Sequence, residues 1–169
     1  MSDAVLSESY LIGALLTEHN AVLPLLQSAG ITEASFTIQR CARAWATMER
    51  MRAAGSPVEL LSVAQSYGGD PGDAITELEP MLKDCLTTAH VEYHAGLVRA
   101  AQRRRDFTAA LKTAQERLAR GDAHEDVGRD LGYVLEAAEG QSNGGPLVAT
   151  FPPIRFNDLK AYDPKPEEN

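Results

Sequence analysis

Three groups of residues in this sequence have types and spacing that could do chemistry. The first is His90-Val91-Glu92-Tyr93-His94, because histidines at i and i+4 on a helix project from one face and can share a metal ion. Its Glu follows the first His by two positions rather than one, unlike H-E-x-x-H, and no third ligand is evident. A small all-α metalloprotein or enzyme using His90 and His94 is one reading; a helix start with partly buried imidazoles is the better account. The second group is Arg103-Arg104-Arg105, preceded by Arg99, a cationic run that could contact a nucleotide or nucleic-acid phosphate. Three successive residues spread over most of a helix circumference, and no aromatic platform for base stacking sits beside them, which favours a solvated or salt-bridged face. The third is Cys41 and Cys85, which lack C-x-x-C spacing and read as two buried thiols.

Other chemistry is missing at the level of motif. There is no G-x-x-x-x-G-K-[ST] phosphate loop, no G-x-G-x-x-G and no G-x-S-x-G. Acidic residues are plentiful, but a catalytic pair among them cannot be told from surface charge by sequence. No catalytic residue, cofactor site or metal site is therefore assigned.

The elements that would position these residues are helical. Aromatic residues make up only 6% of the chain while Ala and Leu are abundant, which suits packed helices better than β-branched, aromatic-rich strands. A length of 169 residues suits one domain, perhaps with an appendage. The longest apolar run, Tyr10 to Leu16, is too short to cross a bilayer, and no basic segment precedes it as in a secretory signal, so a cytoplasmic protein is expected. A net charge of −8 argues against wholesale nucleic-acid binding. The charge is unevenly placed: residues 99–120 hold 7 basic and 2 acidic groups, a balance of +5, and residues 121–139 hold 1 basic and 6 acidic, a balance of −5. A basic helix followed by an acidic one suggests partners lying side by side, within a chain or between chains.

Taken in order, Ser7 is placed to cap a short helix through Tyr10–Leu16 that is apolar all round and therefore buried. Gly13 inside it costs about 1 kcal/mol in helix propensity, which a close approach by a neighbouring helix usually offsets. Asn20 can cap a second short helix through Val22, Leu23, Leu25 and Leu26, ending at Gly30, and Thr32–Phe36 reads as a turn. From Phe36 to Leu60, Ile38, Cys41, Trp45, Met48 and Met51 recur at steps of three and four, and Trp45 would be the centre around which the first hundred residues pack. Gly55 ends that helix, with Ser56 as the next cap and Pro57 at the next first position.

That next helix would bury Leu60, Leu61, Ala64 and Tyr67 before the break at Gly68-Gly69-Asp70-Pro71. A further helix would bury Ile75, Leu78, Met81, Leu82 and Leu86, kinked or split at Pro80. From His90 to Leu118 only Gly96 interrupts a helical pattern, with a stripe at Phe107, Ala110, Leu111, Ala114 and Leu118. After the stop and cap at Arg120-Gly121-Asp122, a last helix to Gly140 carries Val127, Leu131, Val134, Leu135 and Ala138. The expected architecture is a helical head over residues 1–100, an antiparallel helical hairpin over 101–139 and an extended, Pro- and Gly-containing linker over 140–169, which reads as cut from a longer chain. A hairpin cannot cover both its apolar faces alone, so Phe107, Leu111, Leu118, Val127, Leu131, Val134 and Leu135 are candidates for an interface with another copy.

Several segments together resemble one family. Glu8-Ser-Tyr-Leu-Ile-Gly13-Ala-Leu-Leu16, Ile31-Thr-Glu-Ala-Ser-Phe36, Gly55-Ser-Pro57-Val-Glu-Leu60 and Glu92-Tyr93-His94-Ala95-Gly96-Leu97-Val98-Arg99 with Arg103-Arg104 occur in the order found in the N-terminal domain of DnaB-like hexameric replicative helicases. The start of the third helix departs from the family, with Thr37-Ile38-Gln39-Arg40 where an aromatic and an Arg are usual. The resemblance implies a non-catalytic collar that associates with itself through its hairpins and docks a primase or helicase loader. ATP and Mg would then belong to a separate ATPase domain, and DNA would touch this domain weakly if at all. The helicase-interacting C-terminal domain of a primase has a similar head and hairpin and is the alternative within the same class.

Overall fold

The computed structural model describes residues 3–140, with side chains described through Glu136. These residues are all-α: six helices and one short 3-10 turn, with no strand among the described residues. The helices are α1 (Asp3–Ser28), α2 (Gln39–Ala53), α3 (Leu60–Ser66), α4 (Pro71–Asp84), α5 (Val91–Ala119) and α6 (His124–Gly140), with the 3-10 turn Glu33–Ser35 between α1 and α2. The expected linker lies, beyond residue 140, outside the described residues.

Helix α1 is one run of chain broken at Glu18, whose φ of −140° and ψ of 59° are not helical. It starts at Asp3, one turn earlier than the sequence suggests, so Ser7 is not its cap. The Ser7 hydroxyl lies inside the first turns and donates back to the Asp3 carbonyl at 2.8 Å. Leu11, Ile12, Ala14 and Leu15 are all buried, as an all-round apolar helix requires. The reason for Gly13 is in the packing. A β-carbon there would strike the Met81 carbonyl and come within 2.8 Å of the Cys85 β-carbon, so α1 and α4 touch backbone to backbone at this point.

Trp45 is buried and its ring sits 5.5 Å from that of Phe36, while Cys41, Met48 and Met51 fill the same face of α2. Yet the hub of the head is α1, which makes its broadest contacts with α5 and α4; α2 packs mainly on the 3-10 turn, α3 and α1. The sequence-based centre at Trp45 is thus displaced by one element. An amphipathic helix has one face to bury, whereas an all-round apolar helix must be surrounded.

Gly30, Gly55 and Gly121 end α1, α2 and α5 in the same way, each at φ between 70° and 91°. At Gly55 the amide donates to the Arg52 carbonyl and the next amide, of Ser56, to the Met51 carbonyl, which satisfies two carbonyls the helix leaves open. This cap corrects the expected start of α3. The Ser56 amide is occupied closing α2, a proline at position 57 disfavours helical backbone in the residue before it, and α3 begins only at Leu60 after an extended Glu59. With the start moved, Val63, Ala64 and Tyr67 face inward and Leu61 is left 57% exposed.

Asp70 caps α4 by accepting the amides of Gly72 and Asp73, with Pro71 in the first helical position. The helix continues through Pro80 to Asp84 rather than splitting there. Pro80 is exposed, so the carbonyl it leaves without a helical donor can face water. Leu86 falls after the helix end and is 93% exposed, not part of the buried stripe.

Candidate interaction surface

Helix α5 runs 29 residues, roughly 44 Å at 1.5 Å per residue, from the middle of the head out past it. Its first third is buried through Val91, Ala95 and Val98. Beyond Gln102 its main neighbour among the described residues is α6, with the 3-10 turn and the end of α1 still close at Arg105 and Phe107. The turn at Gly121 sends α6 back along α5, and Arg117 ties the two, donating to Asp122 at 2.9 Å and to Asp130 at 2.5 Å. The charge split between these segments therefore serves in part to pair them within the chain, although Lys112–Glu116 and Arg129–Asp126 are spent within one helix.

The apolar candidates on this pair of helices separate into two sets. Val127 is buried within the chain, and Leu131 and Val134 are partly buried, so these side chains already have cover. Phe107, Leu111, Leu118 and Leu135 remain 37%, 43%, 49% and 42% exposed. Tyr133, 63% exposed, joins them and was not singled out by the sequence, since it lies one position off the apolar stripe. Isolated exposed hydrophobics are ordinary, but Phe107, Leu111 and Leu118 follow one another at helical spacing along a single stripe.

The arginine run does not act as a unit. Arg105 turns toward the head and donates to the backbone carbonyls of Ala34 and Ser35, at 3.3 and 2.8 Å, holding the 3-10 turn. Arg104 is exposed, and Arg103 lines a cleft of about 640 Å³ bounded by the end of α1, α5 and α6. Arg99 lines the same cleft, with its guanidinium donating to Gln102 Oε1 at 2.8 Å; the same oxygen accepts the Ser35 hydroxyl at 2.7 Å. Phe107 and Val134 form an apolar side of the cleft. An aromatic ring thus does stand beside the cations, one helical turn from Arg103, contrary to the sequence reading.

His90 and His94 are engaged in the head. The His90 amide donates to the Tyr10 hydroxyl, which itself donates to the Thr87 carbonyl. The His94 ring stacks on Tyr10 with centroids 3.9 Å apart, and its Nδ1 lies 3.0 Å from the Ser7 hydroxyl. Burial, and then the neighbouring His90, push the His94 pKa below its ordinary value. No group of three His, Cys, Asp or Glu side chains converges on a common point among the described residues. Cys41 and Cys85 are both buried free thiols; burial, then the Glu8 carboxylate, pushes Cys41 up to about 11.

Residues 2–100 match the model of the DnaB-like helicase N-terminal domain. The chain belongs to this family. No curated protein sequence matches it. The match covers α1 to α4 and the buried first third of α5, which places the family signature in the head and leaves most of the α5–α6 pair outside it. Two positions of the DnaB-like opening motif now have physical roles: Gly13 permits the contact with α4, and Glu8, buried, accepts the Thr37 and Ile38 amides ahead of α2. The role of Glu8 was not readable locally, because its partners lie 29 and 30 residues away. No helix among the described residues is long and apolar enough to cross a membrane.

Proposed function

We propose that this chain is a non-catalytic collar domain of a replicative DNA helicase, bringing subunits together through α5 and α6 and offering a docking surface to a primase or helicase loader during DNA replication. The parent protein in this reading is a cytoplasmic ATP-dependent DNA helicase, with ATP and Mg held by a separate ATPase domain. Membership of the DnaB-like family supports the assignment to a helicase N-terminal domain. The observation that carries the scaffold reading is the apolar stripe of Phe107, Leu111 and Leu118 with Leu135 and Tyr133 nearby in exposure, on two helices that have left the head and shield each other only in part. Burying such a stripe against a second copy would release water from every one of these side chains, at about 25 cal/mol per Å² of apolar surface. Leu131 and Val134, already partly covered, would complete the floor of that contact.

The test is the molar mass in solution by light scattering over a range of protein concentrations. A dimer or larger assembly that Leu111→Asp or Leu118→Asp converts to monomer, with helix content unchanged, supports the reading. A monomer at high concentration, unaltered by these substitutions, overturns it.

A further inference from the structure

We propose that the cleft between the end of α1, α5 and α6 takes the 5′-phosphate of a nucleotide, with Arg99 as the anion ligand and Phe107 as the surface for the base. The cleft has a volume of about 640 Å³, within the range that holds small molecules rather than a partner helix. Its floor is where the chain has no side chain to offer: the Arg99 guanidinium lies about 3.5 Å from the point a β-carbon on Gly30 would occupy.

Arg99 is a cation short of partners. It gives one N–H to Gln102 Oε1, while its Nε is shut off from water with no acceptor. Burial and the charge of Arg103, one turn on, both lower its pKa, and Asp106 compensates only in part. An anion entering the cleft would accept from the terminal N–H groups of Arg99 that Gln102 does not use, and would offset the cost of holding that cation partly buried. The planar fork of an arginine suits phosphate oxygens. Phe107, 37% exposed and in the lining of the same cleft, is the aromatic side chain there on which a base could stack, and stacking of this kind is indifferent to base identity. Asp106 in the lining opposes a polyanion and so favours a single phosphate over a triphosphate. Two sources share this chemistry, a free nucleoside monophosphate and the 5′-phosphorylated end of a single strand.

The experiment follows the backbone amides of the full 169-residue chain by NMR during titration with dAMP, deoxyadenosine, and a short oligothymidylate with and without its 5′-phosphate. Saturable shifts at Gly30, Arg99 and Phe107 are expected with dAMP at a Kd no weaker than about 1 mM, and not with deoxyadenosine. The phosphorylated oligonucleotide binding more tightly than dAMP assigns the site to strand ends, and the reverse order to free nucleotide. Arg99→Gln should weaken binding at least about tenfold, and Phe107→Leu should weaken it while leaving the unfolding midpoint unchanged. Absence of saturation, equal shifts with deoxyadenosine, or unaltered affinity in folded Arg99→Gln or Phe107→Leu protein would overturn the proposal. Phe107 and Val134 belong to both the cleft and the proposed contact with a second copy, so the titration is made on dilute, monomeric protein; Arg99→Gln leaves Leu111, Leu118 and Leu135 in place, and loss of binding with unchanged molar mass separates the two readings.

Discussion

One carboxylate oxygen of Glu8 accepts the backbone N–H of Thr37 at 2.8 Å and that of Ile38 at 2.8 Å, while the other accepts the Thr37 hydroxyl at 2.5 Å. A residue from the start of α1 thus does for α2 what a local N-cap normally does, and Ile38, which holds the cap position, has no side chain able to do it. Replacing Glu8 by Ala leaves two amides without an acceptor in a dry site and should cost about 3 kcal/mol of unfolding free energy. Glu8→Gln, which keeps one acceptor oxygen, should lose less. Urea denaturation of both variants checks the order, and equal losses would mean that the hydrogen bonds are not what Glu8 contributes.

The glycines make a graded prediction. Gly13→Ala forces a methyl group into the Met81 carbonyl, which is backbone and cannot rotate away, so a loss of about 3 kcal/mol is expected. Gly55→Ala meets no atom within 4 Å but holds φ at 70°, and should cost about 1 kcal/mol. Gly96→Ala, inside α5 with open space around it, should stabilise by about 0.5–1 kcal/mol through helix propensity alone. Thermal unfolding of the three variants should rank them in that sequence.

These cases also show what could be read from the sequence. The ends of α1, α2 and α5 were legible because a helix-terminating glycine acts within a few residues of itself. The close approach at Gly13 was legible as a need, though not its partner, since a glycine in an apolar helix marks a space without saying who fills it. The start of α3 was misread because Ser56 and Pro57 suit two motifs equally well, and only the closing bonds of α2 choose between them. Glu8, Gln102 and Arg105 look like surface residues in the sequence. Each is held by partners about 30 to 70 positions away, a distance at which no local pattern carries information. In the candidate surface, periodicity found the stripe but could not tell Val127, covered by its own chain, from Leu111, which is not.

Acidification should weaken the fold through two imidazoles. Burial lowers the pKa of His19, helped by the charge of Arg52, and both ring nitrogens of His19 lack a hydrogen-bond partner. Burial likewise lowers that of His94. Each folded-state pKa is therefore below the ordinary 6.5, so the unfolded chain takes up protons first as pH falls. Stability should be level above that value, then decline as pH drops through 6.5 toward the lowered pKa of the folded state. The urea midpoint measured between neutral and mildly acidic pH should fall in the wild type and fall less in His19→Leu. A midpoint independent of pH in this window would contradict the burial of these rings.

Arg117 should decide whether α6 stays on α5. It is the side chain that reaches both the turn, at Asp122, and the body of α6, at Asp130, and its two carboxylate partners raise its pKa. Beyond this link the pair is held mainly by Val127 and by the partly buried Leu131 and Val134, a thin apolar contact compared with the head. Arg117→Gln keeps the hydrogen-bonding stem and removes the charge. Amide exchange in α6 should then accelerate while that of α1, α2 and α4 stays unchanged, because the head owes nothing to Arg117. If the proposed dimer forms, a second copy would cover α6 and slow its exchange again, so the acceleration should be largest in dilute protein and shrink as concentration rises. Uniform acceleration through the head would mean instead that α6 and the head unfold as one unit.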